Sequence, residues 1–236
     1  MPHAKPDPAN RLLATLPAKD YQRFMSGCEE VNLEFGEVLS EPEENIRYVY
    51  FPTKSYISQT TAIDGHGSLG VGMVGDEGML GISLILGVDD SPLRTLVQGP
   101  GTALRMSAER FRYEREQSSV LRHGLDRYLC AVMGQLEQTT ACIHFHVVEA
   151  RLARWLLMTQ DRAHSNKFHM THEFLASMLG VRRVGITRAA SDLQNRKLIS
   201  YSRGAITVLD RIGLEAASCG CYEADKSIYE KMMECL

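Results

Sequence analysis

The chain has 236 residues, 44% of them hydrophobic, and a formal net charge of −3. That length accommodates two domains with a connecting element, and the acidic balance excludes a generic polyanion binder, so any nucleic-acid contact must come from a local concentration of charge. The six cysteines form no C-x-x-C pair and no zinc-finger spacing, MPHAKPDPANRLL lacks an apolar leader, and Met79–Val88 is too short to span a bilayer. The expectation is a cytoplasmic protein with reduced thiols and no membrane segment.

Asn10–Ser26 reads as a small helical entry with Leu12, Leu13, Leu16, Tyr21 and Phe24 facing a core. From Val31 to Met106 short alternating runs are separated by turn residues, with hairpin chemistry at Asp64-Gly65-His66-Gly67 and a last strand at Thr102–Met106. This texture predicts an antiparallel β-roll or jelly roll, a fold whose interior can hold a small ligand. The pattern then turns helical from Ala108 through His144. Leu125, Leu129, Val132, Leu136, Thr139 and Ile143 recur at alternating steps of four and three, a heptad seam that predicts a parallel homodimer. His144-Phe-His146 breaks this helix, and Glu149–Arg162 forms the next one, with Leu152, Trp155, Leu156 and Thr159 on its buried face.

Met170–Ser200 reads as two helices joined by a tight turn. Leu175, Leu179, Val181, Ile186 and Ala189 fall where crossing helices share a face, and Gly180 supplies the positive φ that ends the first helix. In the second helix Ile186, Ala189, Ala190 and Leu193 form the buried stripe, leaving Arg182, Arg183, Thr187 and Arg188 on the open side. Leu198–Leu209 then reads as two strands around Arg203-Gly204, a wing whose tip places Arg203 for phosphate contact. Charge agrees with this reading. Residues 150–212 carry eleven basic against four acidic side chains, a local +7 that leaves −10 for the rest of the chain. The tail from Arg211 has helical character around Leu214 and over Ala224–Met233, and no role is assigned to it. The class is therefore α+β, divided as a β-roll sensor-like domain (1–107), a dimerisation helix (108–146), a winged helix-turn-helix (147–212) and a C-terminal tail (213–236).

A barrel, a long dimer helix and a winged helix-turn-helix carrying Leu175-Ala-Ser-Met-Leu-Gly-Val-Arg-Arg-Val-Gly-Ile-Thr-Arg-Ala and Leu193-Gln-Asn-Arg-Lys-Leu-Ile-Ser together resemble the Crp/Fnr family of bacterial transcription regulators. The resemblance implies a homodimer on an inverted-repeat operator in double-stranded DNA, with RNA polymerase as a protein partner and a cyclic-nucleotide-binding-like β-roll. It makes Arg183 and Arg188 the recognition arginines, suited to guanine O6 and N7. The family's glutamate after the first arginine is replaced by Val184, which predicts a changed base preference there. The family's capping serine is replaced by Arg182, which cannot cap and suits a phosphate. For the effector, Asp76, Glu77, Arg94 and Thr95 give a partial match to the ribose and phosphate positions. A long apolar insert between them and an acidic residue out of register argue against a cyclic nucleotide, so the effector stays open and no cofactor is identified.

An iron–sulfur sensor would need a cysteine cluster near the N-terminus, where only Cys28 lies. His144 and His146 are candidate ligands for a metal or haem, though a helix break accounts for them as well; no metal site is assigned, and a thiol switch among Cys219, Cys221 and Cys235 stays open. A cupin-like enzyme would need several histidines inside the barrel, where His66 stands by itself, and no nucleophile elbow, P-loop or dinucleotide fingerprint occurs, so catalysis is not expected. A signalling module that uses the second domain on protein partners is the competing reading, disfavoured by the +7 segment and its paired arginines.

Overall fold

The computed structural model describes residues 10–65 and 67–234; His66 and Cys235 lie outside them. Two short helices, α1 (Arg11–Ala14) and α2 (Ala18–Met25), precede the strands β1 (Glu29–Leu33), β2 (Val38–Ser40), β3 (Tyr48–Pro52), β4 (Tyr56–Ile63), β5 (Gly67–Val74), β6 (Arg94–Gly99) and β7 (Gly101–Ser107). They form a three-stranded sheet in the order β1-β7-β3 and a four-stranded sheet in the order β2-β6-β4-β5. β7 pairs antiparallel with both β1 and β3. Of the described residues, no helix is long and apolar enough to cross a membrane.

The chain divides into two compact units, drawn differently from the four segments expected above. The first holds the chain up to Gln59, Met73–Met133 and the chain from Tyr229 onward; the second holds Thr60–Gly72 and Gly134–Ile228. In the first unit the core gathers Leu12, Leu13, Phe24, Val49, Phe51, Met79, Leu84, Met106 and Phe111, all close to fully buried. Phe24 and Phe51 meet edge to face at 5.3 Å. Asn10 is buried with them because its amide is fully used: the side-chain oxygen caps α1 by accepting from Leu13 N–H, and its nitrogen donates to the Pro52 and Gly78 carbonyls at 2.9 Å each.

The helical stretch after the barrel is two helices, α3 (Ala108–Gln117) and α4 (Ser119–Phe145), because Ser118 leaves the helical conformation and its hydroxyl accepts from Leu121 N–H as a new cap. The predicted seam is only partly open. Leu125 is 1% exposed inside the first unit's own core, and Leu129 and Val132 pack against that core, so Leu125 is withdrawn from any dimer contact. Thr139, at the other end, accepts a 3.0 Å hydrogen bond from the Arg154 guanidinium, which explains a polar residue in the series. Among the exposed apolar side chains of α4, Met133, Leu136 and Ile143 keep, with Leu129 and Thr140, the four-three spacing one stripe over, while Phe145 at the helix end, 77% exposed, lies outside it.

In the second unit α5 (Val148–Ala163) is the central helix, with Leu152, Leu156 and Leu157 fully buried; each such side chain contributes about 1.5–3 kcal/mol on burial. Around it stand β8 (Lys167–His169), α6 (His172–Leu179), α7 (Arg183–Asn195), β9 (Ile199–Ser202), β10 (Ala205–Val208), α8 (Arg211–Ala217) and α9 (Cys221–Met233). The tail is thus two ordered helices: Leu214 of α8 is fully buried, and Asp225 of α9 reaches the buried Arg154 at 2.5 Å.

Candidate nucleic-acid interface

Thr171 begins α6 by accepting from Phe174 N–H, and Gly180 ends it at φ 61°, with Val181 N–H returning to the Ala176 carbonyl. This left-handed stop is what glycine permits without strain, and it turns the chain into α7. The buried residues of α7 are Ile186, Ala189, Ala190 and Leu193, matching the stripe expected from sequence. Arg182, Arg183, Val184, Thr187 and Arg188 are all exposed, Val184 at 65%. Arg182 occupies the N-cap and makes no side-chain capping bond, as a guanidinium without an acceptor must.

The wing is a sheet in the order β8-β10-β9, one strand more than the sequence suggested. Arg203 (φ 50°) and Gly204 (φ 86°) form its two-residue tip, and a Cβ on Gly204 would stand 2.5 Å from the His169 ring. The Arg203 side chain is exposed.

The local positive charge sorts into two sets. Arg151, Arg154 and Arg162 are buried, Arg196 pairs with Glu149, and Arg211 pairs with Asp161 and Glu215. Lys167, Arg182, Arg183, Arg188, Lys197 and Arg203 stay on the surface. No ion pair among the described residues engages Arg182, Arg183, Arg188 or Arg203. The cations left to face solvent are therefore those of the second helix and the wing.

Behind them His172 stacks on Tyr201 at 4.2 Å, and its Nδ1 lies 3.1 Å from the Thr187 hydroxyl, which donates to the Arg183 carbonyl. The Thr187 hydroxyl, expected from sequence to face outward for contact, is engaged within the protein. Burial holds the His172 imidazole below its ordinary pKa of 6.5, and the charge of Arg183 adds to this. The expected NMR titration midpoint for His172 is accordingly below 6.5, moving up in R183A; a midpoint at or above 6.5 would contradict the packing. Because the folded state binds the proton less well than the unfolded chain, the stability that neutral His172 contributes is present above pH 6.5. It is lost as pH falls through the lowered value.

In the first unit a cavity of about 660 Å³ is lined by Ser40, Tyr48, Tyr50, Gln59, Ser91 and Thr95, with Glu43, Glu44 and Arg47 among the polar groups around it. Of the four residues expected to bind an effector, only Thr95 lines this cavity; Asp76, Glu77 and Arg94 do not. Alternation along β6 is the reason. Thr95 points inward and hydrogen-bonds Ser40 at 2.8 Å, while neighbouring Arg94 points outward and pairs with Glu41 at 3.0 Å. Asp76 and Glu77 lie in the turn after β5, where their carbonyls accept from Arg11 N–H and the Tyr229 hydroxyl. Cys28, considered above for a cluster, is pushed up to about 12 by burial and by Glu114, which makes it a poor thiolate source.

Residues 150–217 match the Crp-like helix-turn-helix domain. A comparison with curated proteins gave no match. Among solved structures the chain is similar to FixK2 from Bradyrhizobium japonicum (14% identity, 81% of this chain and 98% of that one, TM-score 0.69). It is also similar to TTHB099, a CRP-family transcriptional regulator from Thermus thermophilus (16%, 80% and 96%, TM-score 0.67). The c-di-GMP-responsive global regulator CLP of Xanthomonas campestris is a third (16%, 81% and 99%, TM-score 0.65). Residues 150–217 thus carry a Crp-like helix-turn-helix domain, and the chain has the fold of these solved proteins.

Proposed function

We propose that the protein acts as a homodimer on an inverted-repeat operator, with α7 of each protomer in the major groove. The observation that carries this reading is the exposed face of α7, where Arg183 and Arg188 stand clear of ion pairs among the described residues, above the buried stripe Ile186, Ala189, Ala190 and Leu193. Arg183 and Arg188 read guanine edges, Arg182 and the wing-tip Arg203 hold phosphates, and Val184 offers an apolar surface to a thymine methyl. Selection from random DNA should return two inverted half-sites centred about 34 Å apart, or a multiple of that spacing. A single half-site or no sequence enrichment would overturn the dimer reading.

The dimer contact in this reading is the open stripe of α4. Met133, Leu136 and Ile143 are between 42% and 54% exposed, an apolar row that a second helix of the same kind would cover. L136E places a charge in that row on both protomers. Its expected outcome in light scattering is a shift from dimer to monomer at micromolar concentration, with operator affinity falling at least about tenfold once only one half-site is held at a time. A variant that remains dimeric would place the contact elsewhere.

The cavity of the first unit is the effector site in this account. Its lining of hydroxyls, phenols and an amide sets Glu43 and Glu44 against one cation, Arg47, while Thr95 and Ser40 bond to each other, which suits a polar ligand without net negative charge better than a cyclic phosphate.

A further inference from the structure

Four side chains from two distant stretches meet in the second unit: Cys142 and His146 from the end of α4, and Cys219 and Cys221 at the start of α9. Cys142 and His146 are four residues apart, so they share a helix face, and the C-x-C of Cys219 and Cys221 brings two thiols to meet it across a separation of 77 residues. Their ligand atoms all lie within 4.8 Å of one another. The Sγ atoms of Cys142 and Cys219 are 3.5 Å apart, and Cys221 Sγ is 3.5 Å from His146 Nδ1.

We propose that Cys142, His146, Cys219 and Cys221 form a tetrahedral, structural zinc site. Zinc–sulfur bonds of about 2.3 Å at tetrahedral angles put neighbouring sulfurs roughly 3.8 Å apart, close to the separations found here; cysteines around an iron–sulfur cluster stand farther apart. The donor set is closed, three thiolates and an imidazole with no place for water, which fits a structural rather than a catalytic ion. The three thiols are buried, at 1%, 7% and 3% exposure, and His146 stands at the solvent side where an ion would enter. Three thiolates around a dication leave one net negative charge, and two buried guanidinium groups adjoin it. Arg154 is paired with Asp225, while the charge of Arg151 acts on both Cys142 and Cys219. Gln138 Nε2 donates to Cys221 Sγ at 2.9 Å, the kind of outer contact that orients a ligand.

The four ligands flank the matched domain on both sides, two before residue 150 and two after residue 217. A bound ion would therefore tie the segment entering the helix-turn-helix to the segment leaving it, and hold the α4–α5 junction at His146 against the start of α9. The site rests on side-chain geometry and not on the proposed operator reading; a zinc-loaded protein indifferent to DNA would leave it standing.

The full-length protein, purified with a thiol reductant from zinc-supplemented cells, should contain about one zinc per chain by elemental analysis. Chelation should lower its melting temperature, and zinc alone should restore it. Replacing zinc by cobalt(II) should give the visible bands of a tetrahedral site with thiolate-to-metal charge transfer. C219S and C221S should weaken metal retention against a chelator by at least about tenfold, while C130S, at an exposed cysteine outside the group, should not. H146C, which completes a four-cysteine set, should keep the metal and intensify the charge-transfer band, so that a variant failing to fold does not decide the matter. A wild-type protein with neither zinc nor cobalt bands, one carrying an iron–sulfur chromophore, or one joined by a Cys142–Cys219 disulfide under the same reducing conditions would overturn the proposal.

Discussion

Replacing Arg183 or Arg188 by alanine should weaken operator binding by about 1–3 kcal/mol each, roughly 5- to 150-fold, and relax the preference at the guanine each one reads. Neither side chain supports the fold, because both are exposed and neither takes part in an ion pair among the described residues, so melting temperatures should hardly change. Lysine should not rescue either position, since a single ammonium cannot span O6 and N7 as the guanidinium fork does. R203A is the contrasting case: removing a wing arginine that holds a phosphate should weaken operator and non-specific DNA by similar factors. Quantitative mobility shifts on the selected operator and on scrambled DNA separate these outcomes. Equal losses on both DNAs for R183A or R188A would mean that these arginines touch only backbone.

The second large effect is on stability. Arg154 and Asp225 form a buried ion pair, 8% and 6% exposed at the side chain, at 2.5 Å and 3.1 Å between the carboxylate and two guanidinium nitrogens. D225A leaves the guanidinium buried without its partner, and should cost about 3–5 kcal/mol in urea unfolding, a large share of the roughly 5–15 kcal/mol typical of a domain. R154M/D225L, which removes both charges and keeps volume, should recover most of that loss. Burial raises the Asp225 carboxyl above its ordinary value of 3.8 in spite of the pull of Arg154. Desolvation thus outweighs the attraction at this carboxyl. A folded-state pKa above the unfolded one means that the contribution of this carboxyl is fullest below pH 3.8 and declines as pH rises through the raised value. D225A as stable as wild type would show that the pair is solvated.

The helix-turn-helix was legible in the sequence because all of its signals are local. A stripe at i, i+3, i+4, i+7, a glycine stop and a two-residue wing tip each occupy a few adjacent positions, and the structure has each of them. The long helix was legible as a helix but not in its facing. Positions 129, 136 and 143 belong to two neighbouring four-three series, and only its burial in the core that also holds Phe111 and Leu121 shows that Leu125 turns inward. The expected effector residues are not brought together for a related reason: adjacent residues of a strand face opposite ways, so Thr95 lines the cavity while Arg94 pairs with Glu41. Thr139, the polar residue in the predicted seam, is a hydrogen-bond acceptor for Arg154. The four-residue thiol and imidazole group had no local signature: an i, i+4 pair and a C-x-C, 77 residues apart between Cys142 and Cys219, become one cluster only when α9 folds back.

The central claim is that the cationic face of α7 and the wing reads DNA as a symmetric pair, and the salt dependence of binding to the selected operator tests it most directly. The account predicts that log K falls linearly with log salt at a slope of about −0.9 per phosphate neutralised, giving a steep loss of affinity when both protomers engage. R203A should lower that slope by about 2, one phosphate from each protomer, while R183A should lower affinity with the slope kept. Binding that ignores salt, or a slope untouched by R203A and halved by R183A, would contradict it.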